Sequence, residues 1–404
     1  MLEVDVLRVG AQGDGLAADG LFVPYGLPGE RVAGIRDKDR LLPVRILVES
    51  PDRIAPVCPH FGVCGGCLLQ HWRTDAYRAW KRALVVDALA REGVVAEVSP
   101  LVDAHGEGRR RAIFHARQIG PRTIVGFAER KSHSMVPITI CPVLAPGLDH
   151  ALDAAKAVAE AIARQKKPLD LHVTATENGL DLDVRGSGPL PPMLLMDLAA
   201  IAERFDLARL TRHGEMVVQR RVPFLPMGAA RVELPPAAFL QATAAGEAML
   251  AARVGEAVAG AKKVADLFSG VGTFALRLAS TARVWGYESN EVAVTAMLKA
   301  TRGVQGLKGV EGEVRDLFRR PLMAEELAKF DAVVIDPPRQ GAEAQARELA
   351  KSKVGRLVYV SCAVSTFARD AALLIAGGFR LESVTPFDQF RYSPHVELVA
   401  TFSR

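Results

Sequence analysis

The sequence of 404 residues lacks long apolar stretches, although 49% of its residues are hydrophobic. No uninterrupted apolar run approaches the roughly 18 residues that a membrane-spanning helix needs. The segment Met1–Asp5 lacks the basic and then apolar character of a secretory signal. Internal repeats and low-complexity tracts are also missing. We therefore expect a globular, cytoplasmic protein with room for two or three domains.

Cysteine is scarce, and an odd count of five without an export signal argues against a disulfide framework. In a reducing compartment, clustered cysteines more often bind metal or take part in catalysis. Three of them follow a Cys-x5-Cys-x2-Cys pattern with glycines between, and a distant cysteine is the candidate fourth ligand. The four are Cys58, Cys64, Cys67 and Cys141. One compact knot plus one distant ligand favours a [4Fe–4S] cluster over zinc, with zinc or unrelated free thiols as alternatives.

Charge of one sign does not dominate, since the net charge is only +5. That small excess permits an acidic partner without identifying one. Basic clusters at Arg109–Arg111 and around Lys131 are compatible with a phosphate path or with a solvated surface. Residues 1–55 alternate short apolar runs with glycine turns, which predicts a small β-barrel. Such barrels bind oligonucleotides or serve only as packing modules.

The middle of the chain mixes helical and strand patterns. We predict helices over 75–92, 150–165, 193–205 and 245–259, and a hairpin between 171 and 184 with an Asn-Gly turn. A rigid Pro235-Pro236 pair precedes the last predicted domain. The predicted boundaries are therefore 1–55 for the barrel, 56–236 for an α+β central domain, and 237–404 for the last domain.

From Lys263 onward strands and helices alternate, which predicts an α/β domain with a doubly wound, Rossmann-like parallel sheet. The first strand leads into Gly270 and Gly272, where the backbone can turn tightly and a ligand can approach it. No lysine follows these glycines, which excludes a P-loop. Glu288 ends the next strand, at the spacing where an acid typically binds ribose hydroxyls.

Two further strands end on chemically distinctive residues. One ends on Asp336-Pro-Pro-Arg339, and this acid–diproline turn resembles the fourth-strand feature of nucleic-acid methyltransferases. It favours S-adenosylmethionine over a dinucleotide as the ligand. The other ends on Cys362. Because open parallel sheets place their chemistry at strand ends, we interpret Cys362 as a covalent nucleophile, with a small buried core thiol as the alternative.

Five motifs follow one another along essentially the whole chain: Cys-x5-Cys-Gly-Gly-Cys, Asp-Leu-Phe-Ser-Gly-Val-Gly, Asp-Pro-Pro-Arg, Ser-Cys and the terminal His395-Val-Glu397-Leu. Together they resemble the bacterial RNA uracil-C5 methyltransferases, which form 5-methyluridine in 23S rRNA and tRNA. The run Gly26–Val32 is similar to part of the RNA-binding barrel called TRAM. That barrel is typical of the 23S rRNA branch, so the resemblance implies 23S rRNA as the RNA partner.

The resemblance also implies site residues. Cys362 would be the nucleophile that adds to C6 of uracil, and Glu397 the base that removes the C5 proton. The four cysteines named above would ligate the [4Fe–4S] cluster. The residues around S-adenosylmethionine would be Gln241, Phe268, Thr273, Glu288 and Asp336. Thr273 stands where the family usually has asparagine, and Ala363-Val364 where it usually has Asn-Pro. The target uridine would be flipped or single-stranded.

Four other functions remain open. A tRNA uracil-C5 methyltransferase shares the motifs. Base-amino methyltransferases usually carry an aromatic residue where this chain has Arg339. RNA cytosine-C5 methyltransferases place a cysteine where this chain has Pro338. A non-catalytic RNA-binding or iron–sulfur sensing protein on a methyltransferase fold is the fourth. The alternative for Glu397 itself is a salt-bridged carboxylate near the end of the last strand.

Overall fold

The computed structural model describes residues 1–132, 134–162 and 167–404. The N-terminal strands are β1 (Leu2–Val9), β2 (Gly15–Ala17), β3 (Phe22–Val23), β4 (Arg31–Asp37) and β5 (Arg40–Val48). They close into a barrel in the order β1-β2-β3-β5-β4. Period-two alternation directs Val6, Val32 and Leu41 inward, where each is buried. The predicted small barrel is confirmed.

The next two elements are helix α1 (Thr74–Arg91) and the short strand β6 (Val102–Asp103). Helix α1 buries an apolar stripe at helical spacing, which includes Leu84, Val85 and Leu89. Both elements pack on the C-terminal part of the molecule, as described below.

The central part is a seven-stranded sheet with two helices packed on it. Its elements are β7 (Arg111–Ile119), β8 (Arg122–Ala128), β9 (Met135–Pro137), α2 (Ala151–Ile162), β10 (Leu169–Thr176), β11 (Gly179–Arg185), α3 (Pro192–Arg204), β12 (Leu207–Arg212) and β13 (Glu215–Gln219). The strand order is β13-β12-β11-β10-β7-β8-β9. Strands β10 and β11 form the predicted hairpin, with Thr176 opposite Gly179. Positions 163–165 of the helix predicted over 150–165 lie outside the described residues.

A hairpin of β14 (Phe224–Met227) and β15 (Ala230–Glu233) leads to the last domain. Its elements are α4 (Ala244–Ala257), β16 (Lys263–Leu267), α5 (Ala275–Leu278), β17 (Arg283–Glu288), α6 (Glu291–Ala300), β18 (Val310–Val314), α7 (Ala324–Leu327), β19 (Ala332–Ile335), α8 (Glu343–Lys351), β20 (Arg356–Ser361), α9 (Val364–Ala376), β21 (Arg380–Asp388) and β22 (Glu397–Ser403). The sheet order is β18-β17-β16-β19-β20-β22-β21-β6.

Helices cover both faces of this eight-stranded sheet. On one face α1, α7, α8 and α9 enclose a core that contains Leu267 and Ile335. On the other face α4, α5 and α6 enclose a core that contains Val264 and Val334. Neighbouring residues of one strand thus enter opposite cores, which explains why these strands are continuously apolar. The predicted doubly wound sheet is confirmed.

Two elements from outside residues 237–404 also pack on the C-terminal domain. Helix α1 packs against α9, and β6 extends the sheet edge, with Val102 paired with Phe387 and Asp103 with Asp388. The predicted boundaries place these two elements in the central domain, whereas they pack here because the apolar stripe of α1 meets the apolar face of α9. Among the described residues, no helix is both long and apolar enough to cross a membrane.

Candidate active site

Three predicted site residues meet at one edge of the C-terminal sheet. Parallel strands β19 and β20 end at this edge, directly before Asp336 and Cys362, and antiparallel β22 begins there with Glu397. In the register of β20 with β22, Ser361 lies opposite Leu398, which brings Cys362 alongside Glu397. Glu397 is buried and Cys362 is half-buried. A thiol and two carboxyls therefore share one largely desolvated site.

Burial raises the pKa of all three groups, and the two carboxylates add to this effect at Cys362. Burial, then the charges of Glu397 and Asp336, raise the pKa of the Cys362 thiol to about 11, and Arg339 opposes them. Burial and Asp336 raise the pKa of Glu397 to about 8. Burial alone raises the pKa of Asp336 to about 7. A positive charge bound here would lower all three values, because it would stabilise the ionised forms.

Two buried glutamines connect the two carboxyls. Gln241 Nε2 donates to an oxygen of Asp336 at 3.2 Å. Gln389 Nε2 donates to Gln241 Oε1 at 2.8 Å and to Glu397 Oε2 at 3.0 Å. Gln241 comes from the segment before α4 and Gln389 from the segment after β21. The network thus ties two chain segments to the acidic edge.

The glycine loop after β16 lies beside this edge. Gly270 (φ +53°) has open space where a Cβ would be, and its N–H donates to Glu288 at 3.2 Å. Gly272 (φ +98°) is closely packed, since a Cβ there would lie 2.8 Å from Met297. Glu288 also accepts from the N–H of Asn290 at 2.8 Å. The loop therefore presents an open backbone surface next to a carboxylate.

An aromatic pair borders the same loop. Phe268 adopts a left-handed conformation (φ +63°), and its ring lies 5.2 Å from that of the exposed Phe318. Asp316, two residues earlier, accepts from the N–H of Phe318 and so fixes that turn. Thr273 lies in the loop, and its carbonyl accepts from Arg277 at 2.7 Å. Phe268 and Thr273 thus lie on the loop whose Gly270 N–H donates to Glu288, and their predicted contact with S-adenosylmethionine stays a prediction.

The predicted cysteine site lies in the central part of the molecule. All four cysteines, Cys58, Cys64, Cys67 and Cys141, line one cavity of about 600 Å³ and are free thiols. Burial raises the pKa of Cys64 and Cys67, and that of Cys141 to about 11. Across residues 1–132, 134–162 and 167–404, no three His, Cys, Asp or Glu side chains come close enough together to hold a single metal ion.

The same cavity reaches toward the C-terminal sheet and is positively charged. Arg109, Arg111 and Arg130 line it, and Phe390, next to Gln389, lies at its wall. The guanidinium of Arg111 lies 4.6 Å from the ring centre of Phe239, which is largely exposed. Burial, with the charges of two neighbouring arginines, lowers the pKa of Arg111 to about 10. Arg109 and Arg111 of the predicted basic cluster thus line a concave cationic surface, whereas Arg110 is buried and pairs with Glu247.

Arg339 and His395 contact each other beside the acidic edge, where the charge of Arg339 acts on Cys362 and Glu397. Arg339 Nη2 lies 3.2 Å from Nε2 of His395. Burial and the neighbouring charges of Arg339, Lys81 and Arg109 lower the pKa of His395 to about 4. The imidazole is therefore neutral and accepts from the guanidinium.

Sequence reasoning missed Gln389 and Phe318. Gln389 is a neutral polar residue beside an apolar strand, and its partners lie 147 and 148 positions away at Ala242 and Gln241. No local pattern reveals such pairings. Phe318 follows Asp316 by two residues in a loop, where an aromatic residue close to an acid could have been noticed.

A protein family described as tRNA (Uracil-5-)-methyltransferase matches residues 232–404. An uncharacterized RNA methyltransferase of Brucella suis is 47% identical over 405 residues, which cover 100% of this chain and 98% of that protein. The 23S rRNA (uracil(1939)-C(5))-methyltransferase RlmD of Edwardsiella ictaluri is 31% identical over 431 residues, which cover 100% of this chain and 95% of that protein.

Among solved structures, the tRNA (uracil-54, C5)-methyltransferase of Pyrococcus abyssi, in complex with S-adenosyl-L-homocysteine, superposes with a TM-score of 0.77. The match covers 99% of this chain and 100% of that chain, at 24% identity. The two chains therefore share one fold.

Proposed function

The chain belongs to the family of S-adenosylmethionine-dependent RNA uracil-C5 methyltransferases, and we propose that it methylates C5 of a uridine in 23S rRNA through a covalent adduct on Cys362. The observation that carries the proposal is the juxtaposition of Cys362 and Glu397 across β20 and β22, beside Asp336. A nucleophile and a base on the same edge are what this reaction needs.

Uracil C5 is a weak nucleophile, so the enzyme must first raise its electron density. The Cys362 thiolate adds to C6, and the electron pair moves through C5 into an enolate. C5 then takes up the methyl group. Glu397 finally removes the proton that C5 still carries, and the thiolate leaves C6. Arg339 assists the first step, because its charge lowers the pKa of Cys362.

The residues of the glycine loop fit S-adenosylmethionine, which supplies the electrophilic methyl group when bound. Gly270 leaves its Cβ direction open toward the site, so a ligand can approach the backbone there. Glu288 is placed to bind ribose hydroxyls, and Phe268 and Phe318 offer rings for the adenine. Gln241, Thr273 and Asp336 complete the proposed binding residues.

We also propose that Cys58, Cys64, Cys67 and Cys141 hold a [4Fe–4S] cluster. The donor set supports this, because four thiols line one cavity and thiolates are the usual ligands of such clusters. A four-iron cluster is larger than one ion, and its cysteine ligands are correspondingly spread. The cluster would hold the segment 58–67 against Cys141.

The choice of 23S rRNA rests on two observations. The N-terminal barrel and the positively charged cavity supply two surfaces suited to an extended RNA. The relative RlmD acts on a uracil of 23S rRNA, as its name states. A tRNA substrate is the second candidate, favoured by the description of the family that matches residues 232–404.

The decisive experiment uses S-adenosylmethionine and a 23S rRNA transcript that contains 5-fluorouridine. Fluorine at C5 cannot leave as a proton, so the last step is blocked and the protein stays bonded to the RNA. We expect a denaturant-resistant adduct with the wild-type protein and none with Cys362→Ala. Mapping the adduct identifies the uridine.

The same adduct on a tRNA transcript, and none on 23S rRNA, would replace the proposed substrate with the second candidate. No adduct on either RNA, although binding is measured, would overturn the covalent mechanism.

A further inference from the structure

Gln389 is fully buried, and no step described above uses it. Its Oε1 accepts from the backbone N–H groups of Ala242 at 3.1 Å and Thr243 at 3.4 Å. Because a backbone nitrogen only donates, this end of the amide must be the oxygen. The orientation of the Gln389 amide is therefore fixed by the chain that precedes α4.

The other end of the amide then faces the site. Nε2 donates to Glu397 Oε2 at 3.0 Å and to Gln241 Oε1 at 2.8 Å. An amide nitrogen has no lone pair available to accept a proton, so Oε2 stays an acceptor whether Glu397 is ionised or neutral. A proton taken up by Glu397 must therefore bind Oε1.

We propose that Gln389 is a positioning residue for Glu397: it occupies Oε2 and leaves Oε1 to accept the C5 proton. This inference rests on the proposed function. In the step concerned, the C5–H bond breaks and its proton binds Oε1 of Glu397. The electron pair of that bond forms the C5–C6 double bond, and the C6–S bond breaks with its pair returning to Cys362.

The charges around Glu397 explain why the donor matters. Glu397 faces Asp336 from the turn after β19, Cys362 from β20 and Arg339 from the same turn as Asp336. Burial and Asp336 raise its pKa, whereas the hydrogen bond from Gln389 and the charge of Arg339 lower it. Loss of that hydrogen bond should therefore raise the pKa of Glu397 further.

A higher pKa keeps more of Glu397 protonated at neutral pH, and a protonated carboxyl cannot accept the C5 proton. Attack by Cys362 should not be slowed, because a neutral Glu397 repels the thiolate less. The methylated adduct should therefore form and then persist. This pattern separates a role in positioning from a general structural role.

The test compares the full-length wild-type protein with Gln389→Met and Gln389→Glu, under single-turnover conditions. The substrates are S-adenosylmethionine and 23S rRNA with ordinary uridine. Adduct and released 5-methyluridine are measured separately between about pH 6 and about pH 9. Gln389→Met removes both donors. Gln389→Glu keeps an oxygen for the N–H groups of Ala242 and Thr243, and so controls for the loss of that support.

We expect both variants to form the adduct at the wild-type rate and to release product about tenfold more slowly at neutral pH. Release by Gln389→Met should recover toward the wild-type rate as pH rises. Equal slowing at every pH, slower adduct formation, or wild-type release in both variants would overturn the proposal. If the wild-type protein itself forms no adduct, the proposed function fails, and the pH profiles of the variants are not needed to show it.

Discussion

Lys81 on α1 donates to Asp388 at the end of β21 at 2.5 Å, although 307 positions separate them. The side chain of Lys81 is fully buried, and its ammonium also donates to the carbonyl of Phe390 at 3.1 Å. Tyr77, one turn earlier on α1, donates to the other oxygen of Asp388 at 2.7 Å. Helix α1 thus holds the segment between β21 and β22 in place.

Replacing Lys81 with methionine should destabilise the protein by about 3–5 kcal/mol, because it leaves the buried carboxylate of Asp388 without its cation. The measurement is the free energy of unfolding in urea. Arg347→Met is the matched control, since Arg347 pairs with Glu343 at 2.7 Å on the exposed side of α8. We expect no measurable change there. If both variants lost similar free energy of unfolding, the buried ion pair would contribute no more to stability than the exposed pair does.

The sequence predicted the parts of the fold that depend on local pattern. Alternation predicted the barrel, and the apolar strands before Asp336 and Cys362 predicted the parallel sheet that carries the candidate site at its edge. It did not predict that α1 and β6 join the C-terminal sheet, because an amphipathic helix does not specify which core buries its stripe. Gln389 was missed for a similar reason, since buried amides find their partners through tertiary structure.

The two glycines after β16 should respond differently to alanine. At Gly272 a Cβ would meet Met297 at 2.8 Å and Leu276 at 2.9 Å, in a backbone conformation that alanine rarely adopts. Gly272→Ala should therefore lower the free energy of unfolding by about 2–5 kcal/mol. Gly270→Ala meets no neighbour within 4 Å and should cost only about 1–2 kcal/mol.

Binding of S-adenosylmethionine should be weakened more by Gly270→Ala than by Gly272→Ala, which is the reverse of their order in stability. A methyl group at Gly270 projects into the space proposed for S-adenosylmethionine, so its dissociation constant should rise by about tenfold. Titration calorimetry on the folded variants measures this. Unchanged affinity in Gly270→Ala would place the ligand elsewhere.

Asp266 should make the ligand-free protein less stable as pH rises. Burial, with the charges of Asp336 and Glu288, raises the pKa of Asp266 from 3.8 to about 8, and the N–H of Ala275 opposes this. Between those values the folded state holds a proton that the unfolded state has lost, so stability falls as pH increases. Asp266→Asn should remove this contribution. The thermal midpoint of this variant should therefore rise relative to that of the wild type as the pH increases from about 5 to about 8.

Asp331→Asn provides the contrasting control. Its carboxylate accepts from the N–H groups of Lys262 at 2.8 Å and Lys263 at 2.9 Å, which lowers its pKa. The stability that it contributes is fully present above the ordinary value of 3.8, so the effect of its loss should not vary between about pH 5 and about pH 8. If the difference in thermal midpoint between Asp266→Asn and the wild type were also the same at every pH in this range, Asp266 would be ionised in the folded protein.

Cys64→Ser should impair folding and RNA binding more than the methylation step. Cys64 lies in the central cavity, whereas the proposed chemistry takes place at the edge where β20 and β22 meet. If Cys64 is a ligand of the proposed cluster, its loss should lower the iron and sulfide content, the yield of folded protein and the affinity for 23S rRNA. The single-turnover rate on saturating RNA should change little. Cys362→Ser is the matched control, because it should keep full iron content and RNA affinity while losing the adduct. If purified Cys64→Ser is folded and binds RNA normally yet does not methylate it, the cluster acts in the reaction itself and not in holding the central region together.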